Sequence, residues 1–137
     1  MIENSGVAAD RWASALHIFD NDNLSGAGVP NEETTAVRWE RAELLFQDKD
    51  YVSAAKLLAE VVDEVPNQTG PRLLLARAYY HSAQLRRAEE QLRHVLDRDP
   101  VEHYAHLMLG RTLERQGRHD EAARWLRLAG ALSGEPG

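Results

Sequence analysis

The chain has 137 residues and a formal net charge of −6, and 28% of its residues are charged. This length is typical of a single domain. The absence of cysteine excludes a disulfide framework, a thiolate zinc site and a cysteine nucleophile. No apolar run approaches the ~20 residues that a membrane-spanning helix needs, so we expect no membrane partner.

Residues 1–34 are predicted to form a short helix and a linker. Residues 10–19 have the spacing of an amphipathic helix, with Trp12, Leu16 and Phe19 on one face. Residues 20–33 are rich in Asp, Asn, Gly and Pro, as a flexible linker is. A helix this short is marginal in water, so its aromatic face needs a covering surface. That surface is the rest of this chain, a second copy or another protein, unless the segment is a frayed terminus.

Amphipathic helices are predicted along the remainder of the chain. Apolar residues have the i, i+3, i+4, i+7 spacing in the stretches 52–65, 70–82, 86–98, 104–116 and 120–132. Asp50 and Asp120 are predicted helix N-caps. Proline cannot continue a helix, and glycine tolerates a positive φ in a turn. We therefore expect breaks near Lys49, Pro66, Ala83, Pro100 and Gly117.

One pattern occurs three times with a period of 34 residues. Small residues recur on the first helix of each unit (Ala42, Ala76 and Gly110) and on the second (Ala54, Ala88 and Ala122). Small side chains at fixed positions let two helices approach closely. A fixed period of this length indicates an array of helical hairpins, which presents an extended surface and not an enclosed pocket.

The units resemble the tetratricopeptide repeat. Unit 69–102 carries the family pattern at Leu75, Ala76, Tyr79, Ala88, Leu92, Val95 and Pro100. Unit 103–136 supplies Leu109 and Gly110, and unit 35–68 departs from the pattern at Arg41. The resemblance implies an all-α fold, an α-solenoid of three helix-turn-helix repeats over residues 35–136 with a short N-terminal helix. The excess of arginine over lysine suggests a GC-rich genome, so we expect a small, stand-alone bacterial protein.

The resemblance also implies a function in protein–protein interaction. We expect an adaptor that binds a peptide or protein segment on a concave face lined by the first helices. The positions that correspond are Trp39, Glu43, Phe46, Leu73, Arg77, Tyr80, His81, Tyr104, Leu107, Met108, Arg111 and Arg115. Arg77 and Arg111 are one period apart and are predicted to take a ligand carboxylate. The apolar members have an alternative interpretation, in which they pack between neighbouring first helices.

Homo-oligomerisation is the alternative function. The last predicted helix, 120–132, has an apolar stripe too wide for one helix pair to cover, and Trp125, Leu128 and Leu132 are left over. The predicted helix with Trp12, Leu16 and Phe19 is one covering, and the same end of a second copy is the other. This pattern favours a homodimer or a swapped dimer over a monomer.

Other classes of function have little support in the sequence. No nucleophile–base motif, phosphate loop or metal-ligand set is present, so we expect no enzyme, no cofactor and no metal. The acidic net charge argues against nucleic acid. The start, MIENSGVAAD, lacks the pattern of a signal peptide, which predicts a cytoplasmic location. The identity of the partner stays open.

Overall fold

The computed structural model describes residues 34–134, which contain six α-helices and no strand. The helices are α1 (Thr35–Gln47), α2 (Tyr51–Glu64), α3 (Thr69–His81), α4 (Leu85–Arg98), α5 (His103–Arg115) and α6 (His119–Ser133). The predicted all-α array of three helical hairpins is confirmed. The predicted helix at residues 10–19, with Trp12, Leu16 and Phe19, and the predicted linker lie outside the described residues.

Each helix packs against the next one along the chain. The pairs α1–α2, α3–α4 and α5–α6 form the hairpins, and α2–α3 and α4–α5 join neighbouring hairpins. The helices break at all five predicted places. The first helices and the second helices therefore form two layers, each of which repeats with the sequence period.

The turn inside each hairpin is the same in all three units. Lys49, Ala83 and Gly117 have φ values of 64°, 62° and 80°. The following amide donates to a carbonyl five residues earlier, as in the bond from Asp50 N to Leu45 O (2.9 Å), and residues 84 and 118 make the equivalent bond. These are Schellman motifs, which satisfy the last carbonyls of the first helix and require the left-handed residue.

The core lies between the two layers. Trp39, Leu58 and Leu75 are fully buried in its first half, and Leu92 and Leu109 are fully buried in its second half. The small residues permit this close packing, since a Cβ placed on Gly110 would lie 2.5 Å from Leu126 Cδ2. The predicted small positions are therefore contact points between the helices of a hairpin.

Polar side chains join successive hairpins at one position of the repeat. Arg72 Nη2 donates to Pro66 O (3.1 Å), and His106 Nε2 lies 2.7 Å from Pro100 O. Arg72 and His106 are one period apart, and so are the two prolines. Each side chain thus contacts the carbonyl that follows the preceding hairpin, where the helix has ended.

One of the two predicted N-caps is confirmed. Asp50 accepts a hydrogen bond from Ser53 N (3.3 Å) at the start of α2. Asp120 is not a cap, because α6 begins one residue before it and Arg118 occupies the cap position. Asp120 instead lies in the first turn, where a carboxylate interacts favourably with the helix dipole.

Candidate interaction surface

The three first helices, α1, α3 and α5, present side chains on one common surface. The contacts of Arg77 show this most directly. Its guanidinium lies 4.8 Å from the centre of the Phe46 ring on α1 and 6.0 Å from the Tyr104 ring on α5. One side chain of α3 therefore contacts both neighbouring first helices. We call this surface the first-helix face, and its central residues are Phe46, Arg77, Tyr80, His81, Tyr104 and Arg115.

Aromatic rings pack against one another on the first-helix face. The rings of Tyr51 and His81 stack with their centres 4.6 Å apart, and Phe46 meets Tyr51 edge-on at 5.1 Å. Tyr80 contacts His81 edge-on at 5.6 Å. Tyr51 is absent from the set predicted from sequence because it begins α2, a second helix. In the sequence, only its position directly after the turn could have indicated this contact, and the other units have Leu85 and His119 at that position.

Two arginines hold their guanidinium groups against aromatic rings on this face. Arg115 lies 4.7 Å from the centre of the Tyr80 ring and donates from Nη1 to Tyr80 O (2.9 Å). Burial lowers the pKa of His81, and the charges of Arg77 and Arg115 lower it further. Within residues 34–134, neither Arg77 nor Arg115 makes an ion pair with a carboxylate. The face therefore carries two positioned cations.

Arg111 makes a local ion pair on α5. Its Nη1 lies 3.2 Å from Glu114 Oε1, one turn further along the same helix. A local i, i+3 pair of opposite charges forms readily on a helix surface. Arg111 therefore has a carboxylate partner of its own, whereas Arg115 contacts the Tyr80 ring and carbonyl.

Two residues expected on the face are buried. Trp39 is 1% exposed and Met108 is 9% exposed. Both side chains belong to the hydrophobic core, since large apolar groups at the edge of a helix face gain more by turning inward. Leu73 is half-buried against the core, and Leu107 is half-buried too. Packing between helices therefore accounts for Trp39 and Met108.

Glu43 extends the face along α1. It occupies the repeat position of Arg77 and Arg111 but is acidic. Burial raises its pKa to about 7, and the charge of Glu40 adds to that effect. The charge of Glu43 on α1 therefore changes near neutral pH, while Arg77 and Arg115 on the neighbouring first helices stay cationic.

Two family models described as tetratricopeptide repeat match the sequence, one over residues 5–69 and the other over residues 45–108. Together they span most of the chain. The chain belongs to the tetratricopeptide repeat family. The first match begins at residue 5, so it includes much of the segment predicted as an N-terminal helix and linker. No curated protein matches the sequence significantly.

Solved structures share the fold of this tetratricopeptide protein. MamA from Desulfovibrio magneticus RS-1 is 25% identical, with a TM-score of 0.70 over 93% of this chain and 69% of the other. MamA AMB-1 is also 25% identical, with a TM-score of 0.70 over 91% and 69%. A chain of the CopN–Scc3 complex is 17% identical, with a TM-score of 0.67 over 72% and 58%. This last likeness concerns the fold alone.

The last helix of the tetratricopeptide array has a partly exposed apolar stripe. Leu128 and Leu132 are 42% and 41% exposed. Trp125 is half-buried, with its ring centre 5.3 Å from that of His106 and 5.8 Å from the Arg93 guanidinium. Of the three residues expected to need a cover, Leu128 and Leu132 are therefore the more accessible.

None of the helices in the described part of the tetratricopeptide chain is long and apolar enough to cross a bilayer. Residues 34–134 also contain no group of three or more His, Cys, Asp or Glu side chains placed to hold a metal ion.

Proposed function

We propose that the protein is an interaction adaptor whose first-helix face binds a partner segment with a carboxylate and apolar side chains. The fold is that of a protein-interaction scaffold, and the family is an interaction module, so we propose no catalytic role. The observation that carries the proposal is the pair Arg77 and Arg115. Each guanidinium lies over an aromatic ring and has no carboxylate partner in the described residues.

The geometry favours binding because the cations are already in place. An arginine held on a ring loses less side-chain freedom on binding than a free one, and its planar fork suits a carboxylate. The neighbouring rings of Phe46, Tyr80 and Tyr104 supply apolar surface. Aromatic and arginine side chains together are typical of interaction hot spots. The CopN–Scc3 structure shows that a chain with this fold occurs in a complex.

The test is a pair of matched double variants. A partner is first identified by co-purification with the full chain, and its affinity is then measured by calorimetry. Arg77→Ala with Arg115→Ala removes the proposed contacts, whereas Arg86→Ala with Arg127→Ala removes two exposed arginines elsewhere. Charge-assisted hydrogen bonds are worth ~1.5–3 kcal/mol each, so the first pair should weaken binding at least about tenfold.

The control pair should leave the affinity within about twofold of wild type. Both pairs should stay folded at the temperature of the binding measurement, as checked by thermal unfolding, because none of the four side chains belongs to the hydrophobic core. Equal affinities for the two double variants would show that binding does not use the first-helix face.

Self-association is a second candidate function, favoured by the exposure of Leu128 and Leu132 one turn apart on α6. If each of two copies supplies this pair of leucines, the four side chains form a small isologous contact. The contribution of Trp12, Leu16 and Phe19 to such a contact stays a prediction. The cytoplasmic location and the bacterial origin likewise stay predictions from the sequence.

A further inference from the structure

A cavity lies between two of the second helices, apart from the first-helix face. It has a volume of about 430 Å³ and lies between α2 and α4. Val52, Ala55, Ala59 and Tyr79 give it an apolar floor, and Lys56 and Arg87 stand at its rim. Val52 is 52% exposed, so the floor is open to solvent. We call this cavity the α2–α4 groove.

The equivalent place one repeat later is closed by charged side chains. Glu89 and Arg93 stand where the α2–α4 groove has Ala55 and Ala59, and Arg118 stands in place of Gln84. Glu89 Oε1 accepts from Arg118 Nη1 (2.7 Å), and Glu89 Oε2 accepts from Arg93 Nε (2.9 Å). Arg118 also pairs with Glu121 (2.9 Å), which is the counterpart of Arg87. The next repeat thus fills the space with a bonded network.

The α2–α4 groove is open because alanine replaces two members of that network, and it is left with surplus positive charge. Arg87 Nη1 donates to the neutral Gln84 side chain (3.0 Å), and Lys56 has no ion pair within residues 34–134. The acidic lining residue, Glu60, lies 3.6 Å from Arg38. The rim therefore offers two cations that make no ion pair with a carboxylate within residues 34–134.

We propose that the α2–α4 groove is a second interaction site, which binds a partner segment carrying apolar side chains and carboxylates. The apolar groups contact Ala55, Ala59 and Tyr79, and the carboxylates pair with Lys56 and Arg87. The volume is in the range of binding cavities and is enough for a few side chains. Its two cations lie on α2 and α4, and none of its lining residues is a central residue of the first-helix face. The site is therefore distinct from that face.

The repeat itself supplies a variant that closes the groove. Ala55→Glu, Ala59→Arg, Gln84→Arg and Arg87→Glu together reproduce the network that the fold already accommodates 34 residues later. A random peptide library displayed on phage is selected on the full wild-type chain and counter-selected on the closed variant. The surviving peptides are synthesised and their affinities measured by fluorescence anisotropy.

We expect the survivors to contain Asp or Glu beside apolar residues. Lys56→Ala with Arg87→Ala should weaken their binding about tenfold or more, while Arg86→Ala with Arg127→Ala and Arg77→Ala with Arg115→Ala should not. These surface variants do not disturb the core, so the test stands even if the closed variant folds poorly. Survivors without carboxylates, an unchanged affinity in the Lys56 and Arg87 variant, or no survivors at all would overturn the proposal.

Light scattering on wild type and the Lys56 and Arg87 variant identifies one other occupant. A wild-type dimer that becomes a monomer in this variant would place a second copy in the groove, which also contradicts the proposal. An unchanged mass is the expected result.

Discussion

Glu43 keeps its proton to a higher pH than an ordinary carboxyl because it is half-buried beside Glu40, which raises its pKa from 4.5 to about 7. The folded state thus binds this proton more tightly than the unfolded chain does. The resulting stabilisation is present below pH 4.5 and is lost as the pH rises to about 7. Above that value the fold contains a carboxylate in an unfavourable place.

We therefore predict that Glu43→Gln is more stable than wild type at pH 8, and that this difference shrinks as the pH falls towards 4.5. Urea unfolding at a series of pH values measures it. Glu90→Gln, an exposed change on α4, serves as the control and should show no such trend. A Glu43→Gln difference that is the same at pH 5 and pH 8 would contradict the pKa shift.

For single residues, the sequence predicted which helix face a side chain lies on better than it predicted which side chains it contacts. Arg77 and Tyr80 lie on the first-helix face as expected, because the 34-residue period fixes which helix face they occupy. Arg111 pairs with a neighbouring carboxylate, Glu114, which the repeat period does not predict, and its role in binding stays a prediction. Trp39 is buried, because a period does not say whether a large side chain at the edge of a face turns inward.

At the scale of elements, the three hairpin turns provide an internal comparison. Lys49, Ala83 and Gly117 adopt the same left-handed conformation, although only glycine does so without steric cost. A Cβ on Gly117 would meet nothing within 4 Å, so the backbone conformation alone determines the effect of a substitution there. The Schellman hydrogen bonds hold the two non-glycine residues in place.

Gly117 and Ala83 occupy the same position of the repeat, and substitutions at these two residues are predicted to change stability in opposite directions. Gly117→Ala should lower the free energy of unfolding by about 1 kcal/mol, because alanine resists the left-handed conformation. Ala83→Gly should raise it by a smaller amount, since the greater freedom of glycine in the unfolded chain offsets part of the gain. Urea unfolding with unchanged m-values measures both. Changes of the same sign would contradict the proposed role of the turns.

The elements themselves were predictable because local signals and the repeat agree. Proline, glycine and apolar spacing located all the helix breaks within the described residues. The α2–α4 groove was not predictable in this way, since it depends on which side chains meet across two units. In the sequence, the groove is indicated only by a difference between repeats, in which Ala55 and Ala59 stand at the positions of Glu89 and Arg93.

At the scale of the whole molecule, the exposed leucines of α6 predict a homodimer at high micromolar concentration. Leu128→Glu with Leu132→Glu should convert it to a monomer, as read by multi-angle light scattering. Val101→Glu is the control, because Val101 is 67% exposed and lies outside α6. A wild-type mass of one chain would exclude the dimer, and a dimer that survives the double change would place the interface elsewhere.

Binding on the first-helix face is tested most directly by mapping amide chemical shifts. The full chain, labelled with nitrogen-15, is titrated with the carboxylate-bearing segment of the co-purified partner. We predict shifts of the amides around Phe46, from Arg77 to His81, and around Tyr104 and Arg115, with α6 unaffected. Shifts confined to α2, α4 or α6, with the amides of the first-helix face unmoved, would contradict the proposed function.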